Sequence, residues 1–193
     1  MSIKKKRIGH GGIFAALCYS ESMKKPVLFL DFDRTLFDTD RFYEWLGDEY
    51  SLRILALMAG EITPPDFASY LYPDTIDFLH EVKKSYRLVL LTYAINVALQ
   101  HRKIADSGIS QFMDDIIVTQ REKWIDAKEY LARSGDPRSA SGHVFIDDAP
   151  ENIAGMMREN PSIRSIRIDR LPLEREKCSP SRFSPRACRH EPP

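Results

Sequence analysis

Cysteine is scarce in this chain and absent from its middle. The three cysteines, Cys18, Cys178 and Cys188, all lie near the ends of the 193-residue sequence. A disulfide framework therefore cannot support the core, and a reducing compartment such as the cytoplasm suits this usage of cysteine. Cys178, Cys188 and His190 lack the spacing of a zinc pattern, so we expect no metal there.

Long apolar runs are also missing. None approaches the roughly 20 residues that a membrane-spanning helix needs, so we predict no association with a membrane. Residues 1–22 combine a basic start with a short apolar patch, which is the outline of a signal peptide, but glycines interrupt the patch. We favour a different interpretation, in which Met23 begins the functional domain and residues 1–22 form an upstream extension.

The middle of the chain lacks positive charge, although the whole chain is neutral. Residues 26–169 have a net charge of −8, whereas residues 1–25 and 170–193 are basic. An acidic body disfavours nucleic-acid binding, which needs cationic surface, and suits a protein that binds a divalent cation. The basic ends could contact an anionic partner, but we expect residues 1–22 and 171–193 to be disordered tails.

Five short runs rich in Val, Ile and Leu alternate with helical segments. Most are apolar at consecutive positions, which is typical of strands that are covered on both faces. They lie at residues 27–31, 87–92, 115–119, 143–147 and 163–168. The pattern predicts one α/β domain over residues 23–170, with a Rossmann-like, doubly wound parallel sheet of about five strands.

The segments between these runs have the punctuation of helices. Proline at a first position and glycine after a last turn mark helix ends, and Pro73, Gly108, Gly135 and Pro150 have these positions. The predicted helices cover residues 73–85, 95–108, 124–135 and 150–160.

About forty residues separate the first strand from the helix at Pro73, which is far longer than an ordinary connection. Residues 41–60 of this interval are rich in aromatic and aliphatic side chains. We predict an inserted pair of helices, joined near residues 63–66. Because open α/β sheets bind ligands at the carboxyl ends of central strands, we interpret residues 38–72 as a small cap over a site, with plain scaffold as the alternative.

Two pairs of carboxylates follow two of the predicted strands. Asp31 and Asp33 end the first strand, and Asp147 and Asp148 end the fourth. Neighbouring parallel strands would bring the pairs together, and burying unpaired carboxylates costs several kcal/mol. The arrangement therefore needs a cation. Oxygen ligands without nearby His or Cys select a hard ion, and we predict Mg²⁺.

The other two strand ends carry groups that an anionic substrate could use. Thr92 offers a hydroxyl at the end of the second strand, and Lys123 lies just beyond the third. Lys128 follows five residues later and is an alternative to Lys123. A single Thr at a strand end is typical of a helix cap and a single Lys of solvated surface, so the prediction depends on their occurring together.

Four motifs occur in order over about residues 26–169: DFDRT, the Thr of LLTYA, a Lys before a helix, and DD after an apolar strand. In this order they resemble the haloacid dehalogenase superfamily, which is dominated by Mg²⁺-dependent phosphatases. The resemblance implies that Asp31 is a nucleophile that becomes an aspartyl phosphate. Asp33 would protonate the leaving oxygen and then activate water, and its presence favours phosphoryl transfer over dehalogenation, because a halide leaves without a proton.

The same resemblance implies a metal site and an activity. Mg²⁺ would be held by Asp31, the backbone carbonyl of Asp33 and Asp148, with Asp147 in a supporting position. We predict a Mg²⁺-dependent phosphomonoester hydrolase that acts on a small phosphorylated metabolite. A phosphotransferase or mutase of the same superfamily, and a non-catalytic phosphate- or metal-binding module, are the alternatives.

The resemblance further implies that Thr92 and Lys123 hold the phosphoryl oxygens. Arg34 departs from the pattern, because glycine is frequent at its position in the superfamily. Its side chain could contact a second anionic group of the substrate, or it could pair with Asp38 or Asp40.

Overall fold

The computed structural model of the chain describes residues 25–134 and 142–170. The predicted extension over residues 1–22, the start at Met23 and the tail over residues 171–193 fall outside the described residues. The same holds for the three cysteines and for the predicted helix end at Gly135.

Five parallel strands form a single sheet. They are β1 (Val27–Leu30), β2 (Arg87–Tyr93), β3 (Asp115–Thr119), β4 (Val144–Asp147) and β5 (Arg164–Arg167), in the spatial order β3-β2-β1-β4-β5. All four pairings are parallel, and every residue of β1 is buried. The predicted doubly wound α/β fold is confirmed, and its central strand is the one that leads into the first pair of carboxylates.

Helices cover both faces of the sheet. Side chains alternate across a strand, so Leu28 and Leu30 pack in one buried cluster while Val27 and Phe29 pack in another. The first cluster includes residues of α3 (Thr75–Val82) and α4 (Val97–Asp106), and the second includes residues of α5 (Lys123–Ser134) and α6 (Pro150–Glu159). No helix among the described residues is long and apolar enough to cross a membrane.

The interval after β1 contains two helices, α1 (Thr39–Leu46) and α2 (Tyr50–Ala59), followed by a 3₁₀ helix (Phe67–Tyr70). The prediction that the two helices join near residues 63–66 was wrong, because Gly47 ends α1 with a φ of 69°. Glycine adopts this left-handed region without strain, so the chain turns there, within a run that looks continuous by its apolar content.

The α1–α2 pair packs directly on the sheet domain. Phe42, Leu46 and Leu57 are almost completely inaccessible, and they belong to the same buried cluster as Leu28 and Leu30 of β1. The two helices therefore share the main core and extend it past the carboxyl end of the sheet.

Candidate active site

The predicted site residues meet at the carboxyl end of the sheet. Asp31 directly follows β1, Thr92 lies near the end of β2, and Asp147 is the last residue of β4. Because β1 pairs with both β2 and β4, these three strand ends are adjacent. Lys123, the first residue of α5, completes the group from the helix that follows β3.

Lys123 lies between two buried carboxylates. Its Nζ donates to Oδ1 of Asp31 at 2.5 Å and to Oδ2 of Asp147 at 2.7 Å, and all three side chains are at most 5% exposed. Burial alone would lower the pKa of Lys123, but the two carboxylates outweigh burial and raise it, so Lys123 is a cation here. Lys128 lies on the exposed face of the same helix.

Donors hold Asp147 in place. The backbone N–H of Ala149 donates to its Oδ1 at 2.9 Å, and the Asn152 side-chain amide donates to both of its carboxylate oxygens at 3.1 Å. Asp148 is only partly buried. One carboxylate oxygen from each of Asp31, Asp147 and Asp148 lies within 4.8 Å of the other two, so these acids form one cluster.

The cluster has more negative charge than its neighbours neutralise. The pKa of Asp31 is raised from 3.8 to about 7, because burial and, to a smaller extent, the charge of Asp147 together outweigh the opposing effect of Lys123. Burial and the charge of Asp147 also raise the pKa of Asp148. One ammonium therefore does not compensate for three carboxylates, and a divalent cation bound by hard oxygen ligands would supply the missing charge.

Asp33 has its own set of partners, away from Lys123. Lys103 of α4 donates to Oδ1 of Asp33, Gln100 donates to Oδ2 at 2.7 Å, and the Thr39 hydroxyl donates to Oδ1 at 2.5 Å. Burial raises the pKa of Asp33, but Lys103, Thr39 and Gln100 together outweigh burial and lower it. The chain thus keeps Asp33 ionised while Asp31 takes up a proton far more readily.

Lys103 is a buried lysine, only 4% exposed. Its Nζ lies 5.2, 4.7 and 5.6 Å from the ring centres of Phe32, Phe37 and Phe42, so aromatic faces as well as Asp33 stabilise its charge. The sequence interpretation missed Lys103, because a lysine inside a helix is normally solvated. Its only signal was its place on the same face of α4 as the apolar Leu99.

Gln100 connects two predicted site residues. Its amide nitrogen donates to the hydroxyl of Thr92 at 2.9 Å as well as to Asp33, and Thr92 is completely buried. The hydroxyl of Thr35 donates to Oδ2 of Asp31 at 3.3 Å. Sequence reasoning assigned no role to Gln100 or Thr35, although Thr35 belongs to the DFDRT motif.

Arg34 has a φ of 59° and is the only non-glycine residue with positive φ among those described. A bulky side chain is strained in this region, whereas glycine enters it freely, which explains why glycine would suit the position. The guanidinium pairs with Asp40 at 2.7 Å on the surface. Of the pairings left open by the sequence, the structure contains the one with Asp40.

A cleft of about 710 Å³ opens above Asp33. Helices α1 and α2 form one wall, and the connection from β2 to α4 together with the first turns of α4 forms the other. Asp33, Gln100 and Lys103 line the cleft as well as contacting one another, so the cleft is continuous with the candidate site.

No protein-family model matches this chain, and neither does any curated protein. Several solved structures, however, are similar to this chain. A protein described as a haloacid dehalogenase-like hydrolase from Burkholderia xenovorans is 18% identical, with a TM-score of 0.59 over 75% of this chain and 82% of its own. A haloacid dehalogenase-like family hydrolase from Streptococcus pneumoniae is 21% identical, with a TM-score of 0.52 over 75% of this chain and 85% of its own.

A third structure is described as the N-terminal part of a Bacteroides fragilis protein, containing a phosphatase domain complexed with Mg. It is 12% identical to this chain, with a TM-score of 0.51 over 81% of this chain and 39% of its own. Likeness at such identities concerns the fold. The chain therefore has the haloacid dehalogenase-like fold, and the resemblance drawn from its sequence motifs is confirmed at that level.

Proposed function

We propose that this chain, which has the haloacid dehalogenase-like fold, is a Mg²⁺-dependent phosphomonoester hydrolase that acts through an aspartyl phosphate. The observation that carries the proposal is the pair of contrasting carboxylates. Asp31 is buried among other acids beside Lys123, and Asp33 is held ionised by Lys103. Two carboxyl groups whose environments separate their pKa values are suited to two different roles in one reaction. We also propose that residues 23–170 are the catalytic domain and that residues 38–72 are its cap.

The charge of the acidic cluster supports a resident metal. Asp31, Asp148 and the backbone carbonyl of Asp33 would hold Mg²⁺, and Asp147, fixed by Asn152 and by the N–H of Ala149, would keep the cluster in shape. When bound, Mg²⁺ would supply positive charge to the phosphoryl group and keep Asp31 ionised. The Bacteroides fragilis phosphatase domain complexed with Mg shares the fold.

Asp31 is the proposed nucleophile. Its carboxylate oxygen would attack phosphorus, a new O–P bond would form, and the bond from phosphorus to the leaving oxygen would break. Lys123, which already contacts Asp31, and Thr92 would stabilise the charge on the phosphoryl oxygens. For this step Asp33 would first take a proton from solvent or from the monoanionic form of the ester, against the preference for its ionised form that Lys103 sets. It would then give that proton to the leaving oxygen, so the product of this step is an alcohol.

Asp33 would also complete the second step. As a carboxylate it would take a proton from water while the water oxygen attacks phosphorus, which releases phosphate and regenerates Asp31. The contacts from Lys103, Gln100 and Thr39 favour the ionised form that this step uses. The same contacts fix the direction of the carboxylate, because both of its oxygens accept hydrogen bonds.

Hydrolysis of an aryl phosphate with and without Mg²⁺ tests the proposal. We expect Mg²⁺-dependent release of phosphate by the full chain and none by Asp31→Asn. Beryllium fluoride, which mimics an acyl phosphate when it binds a carboxylate, should bind at Asp31 in the presence of Mg²⁺. It should then stabilise the wild-type chain against thermal unfolding. Binding of phosphate without turnover would indicate a non-catalytic module, and transfer of the phosphoryl group to an added alcohol in preference to water would indicate a phosphotransferase.

A further inference from the structure

Large exposed apolar side chains concentrate around one feature of the surface. Nine such side chains are exposed among the described residues, and five of the nine line the cleft above Asp33. These five are Tyr43 (44% exposed), Tyr50 (50%), Leu55 (65%), Tyr93 (49%) and Ile95 (83%). Single exposed apolar residues are ordinary, but a cluster of them around a concave site marks a surface that binds an apolar partner or ligand.

The five residues come from both walls of the cleft. Tyr43 belongs to α1, and Tyr50 and Leu55 belong to α2, while Tyr93 and Ile95 lie at the end of β2 and just beyond it. A ligand lying between the walls would contact apolar side chains on both of its sides. Such two-sided burial is what a flat or compact apolar group needs for tight binding.

The charged groups of the cleft are already paired. Arg34 and Lys103 are the cationic side chains in its lining, and they pair with Asp40 and Asp33 respectively. Among the residues that the structure describes, the cleft therefore offers no unpaired cation to a second anionic group. A bisphosphate or a phosphorylated acid would have to break an existing ion pair to bind there, whereas a neutral body would not.

The position of Asp33 relates the cleft to the proposed reaction. Asp33 lies in the lining of the cleft, and in the proposed function it is the group that protonates the leaving oxygen. The part of the substrate attached to that oxygen must then extend into the cleft. The phosphoryl group would pass to Asp31, which does not line the cleft, and the alcohol would leave through the apolar opening.

We infer that the substrates of this site are phosphomonoesters of neutral alcohols with an aromatic or other apolar body, held between α1–α2 and the segment around Ile95. The inference rests on the proposed function, because it assigns the cleft to the leaving group of that reaction. The polar alternatives, phosphorylated sugars and polyols, would leave the five apolar side chains facing hydroxyl groups.

Benzyl phosphate and glycerol 1-phosphate form a matched pair for the test. Both release a primary alcohol, so the difference in rate reports the contacts of the leaving group more than its chemical reactivity. We expect kcat/KM of the full chain with Mg²⁺ to be about 10- to 100-fold higher for benzyl phosphate, as burial of one apolar ring would give. Acetyl phosphate, whose leaving group is the small acetate ion, tests phosphoryl transfer without contacts from a large leaving group.

Two exposed leucines of α2 provide a variant and its control. Leu55 lines the cleft, whereas Leu52, 62% exposed on the same helix, does not. Leu55→Asn should reduce the ratio of kcat/KM between benzyl phosphate and glycerol 1-phosphate about 3- to 10-fold. Ile95→Asn, on the opposite wall, should reduce it similarly, and Leu52→Asn should leave it unchanged.

The outcomes separate this inference from the function on which it rests. Hydrolysis of acetyl phosphate with equal kcat/KM for the two alcohol esters would overturn the inference and leave the proposed function standing. No hydrolysis of any of the three phosphate compounds would overturn both. If Leu55→Asn keeps the ratio but lowers the mass measured by light scattering, the apolar residues form an interface between copies of the chain and the inference is wrong.

Discussion

Lys123 is the residue on which the charge balance of the candidate site depends most. It is the buried cation between Asp31 and Asp147, and each of these carboxylates is almost inaccessible to water. Removing it would leave two buried carboxylates without their shared partner. Such a change is strongly destabilising, because an uncompensated buried charge has lost both its solvation and its counter-charge.

We predict that Lys123→Met lowers kcat for an aryl phosphate by at least about 100-fold. The free energy of unfolding should fall by about 3–5 kcal/mol in the protein without metal, since a buried ion pair is broken. Lys128→Met is the matched control, because Lys128 is exposed on the same helix. Steady-state kinetics and urea denaturation measure the two effects, and equal losses in both variants would contradict the assignment of Lys123.

Lys103 gives a prediction with a definite dependence on pH. The pKa of Asp33 is lowered from its ordinary 3.8, so its ionisation stabilises the fold above about pH 4, and this stabilisation is lost as the pH falls through the folded pKa. Without Lys103, the two largest effects that lower the pKa of Asp33 would be lost, and only Thr39 and Gln100 would oppose burial. Lys103→Met should therefore be less stable than the wild type at neutral pH, and the difference should shrink in acid.

Urea denaturation at about pH 7 and about pH 3 measures this effect. Lys84→Met is a suitable control, since Lys84 forms a pair with Glu81 in which both side chains are highly exposed, and we expect a change below about 1 kcal/mol. Lys103→Arg should retain most of the stability. A Lys103→Met variant that loses the same stability at both pH values would show that Lys103 acts by packing alone.

Residues at strand ends could be predicted because topology alone brings them together. Asp31, Thr92 and Asp147 lie at the carboxyl ends of neighbouring parallel strands, and no side-chain packing has to be known for that inference. Lys103 and Gln100 could not be predicted in this way. They reach Asp33 only because α4 packs with one particular face against the loop after β1, and the sequence does not specify that rotation.

At the scale of elements, the contact between α5 and α6 fixes the position of Lys123. A Cβ added at Gly155 of α6 would lie 2.2 Å from the ring of Trp124, the residue that follows Lys123. Glycine is therefore required by close helix packing, and the backbone of α6 approaches the indole directly. Any displacement of Trp124 would be transmitted to the first turn of α5.

We predict that Gly155→Ala destabilises the protein by about 1–3 kcal/mol, because the indole must move or the helices must separate. Activity should fall as well, since the movement displaces Lys123. Met157→Ala is the control, because Met157 is exposed on the same helix. Thermal denaturation and kinetics measure the two changes, and a fully stable Gly155→Ala variant would contradict the tight packing of α5 on α6.

The five strands could be predicted within a residue or two at each end. Most of them have the consecutive apolar residues that are typical of strands covered on both faces, whereas β5 is mostly exposed. The cap was harder. Aromatic and aliphatic residues continue through 41–60, and the break at Gly47 depends on one backbone dihedral angle that apolar content does not reveal. The prolines near residue 64 were a stronger signal for a turn, but they precede the 3₁₀ helix instead.

At the scale of the whole molecule, the acidic cluster links stability to pH and to metal. The pKa of Asp31 is about 7 in the folded chain against 3.8 ordinarily, so folding retains a proton that the unfolded chain releases. Its contribution to stability is present below about pH 4 and is lost as the pH rises through about 7. Asp148, whose pKa is also raised, acts in the same direction.

We predict that Mg²⁺ raises the melting temperature more at about pH 8 than at about pH 5.5, because protons compete with the metal for Asp31 at the lower pH. Asp148→Asn should reduce the increase at both pH values. Differential scanning calorimetry with and without Mg²⁺ measures the increase in melting temperature. An increase that is independent of pH would show that the metal binds away from the buried cluster.

The central claim is that Asp31 forms a covalent bond to phosphorus during turnover. Mass spectrometry of the peptide that contains Asp31, after an acid quench during hydrolysis of acetyl phosphate with Mg²⁺, tests this claim most directly. We predict that Asp31 carries a phosphoryl group and that this modification requires Mg²⁺. The Asp31→Asn variant should be neither phosphorylated nor active. Phosphate release by Asp31→Asn, or turnover by the wild-type chain without this modification of Asp31, would contradict the account.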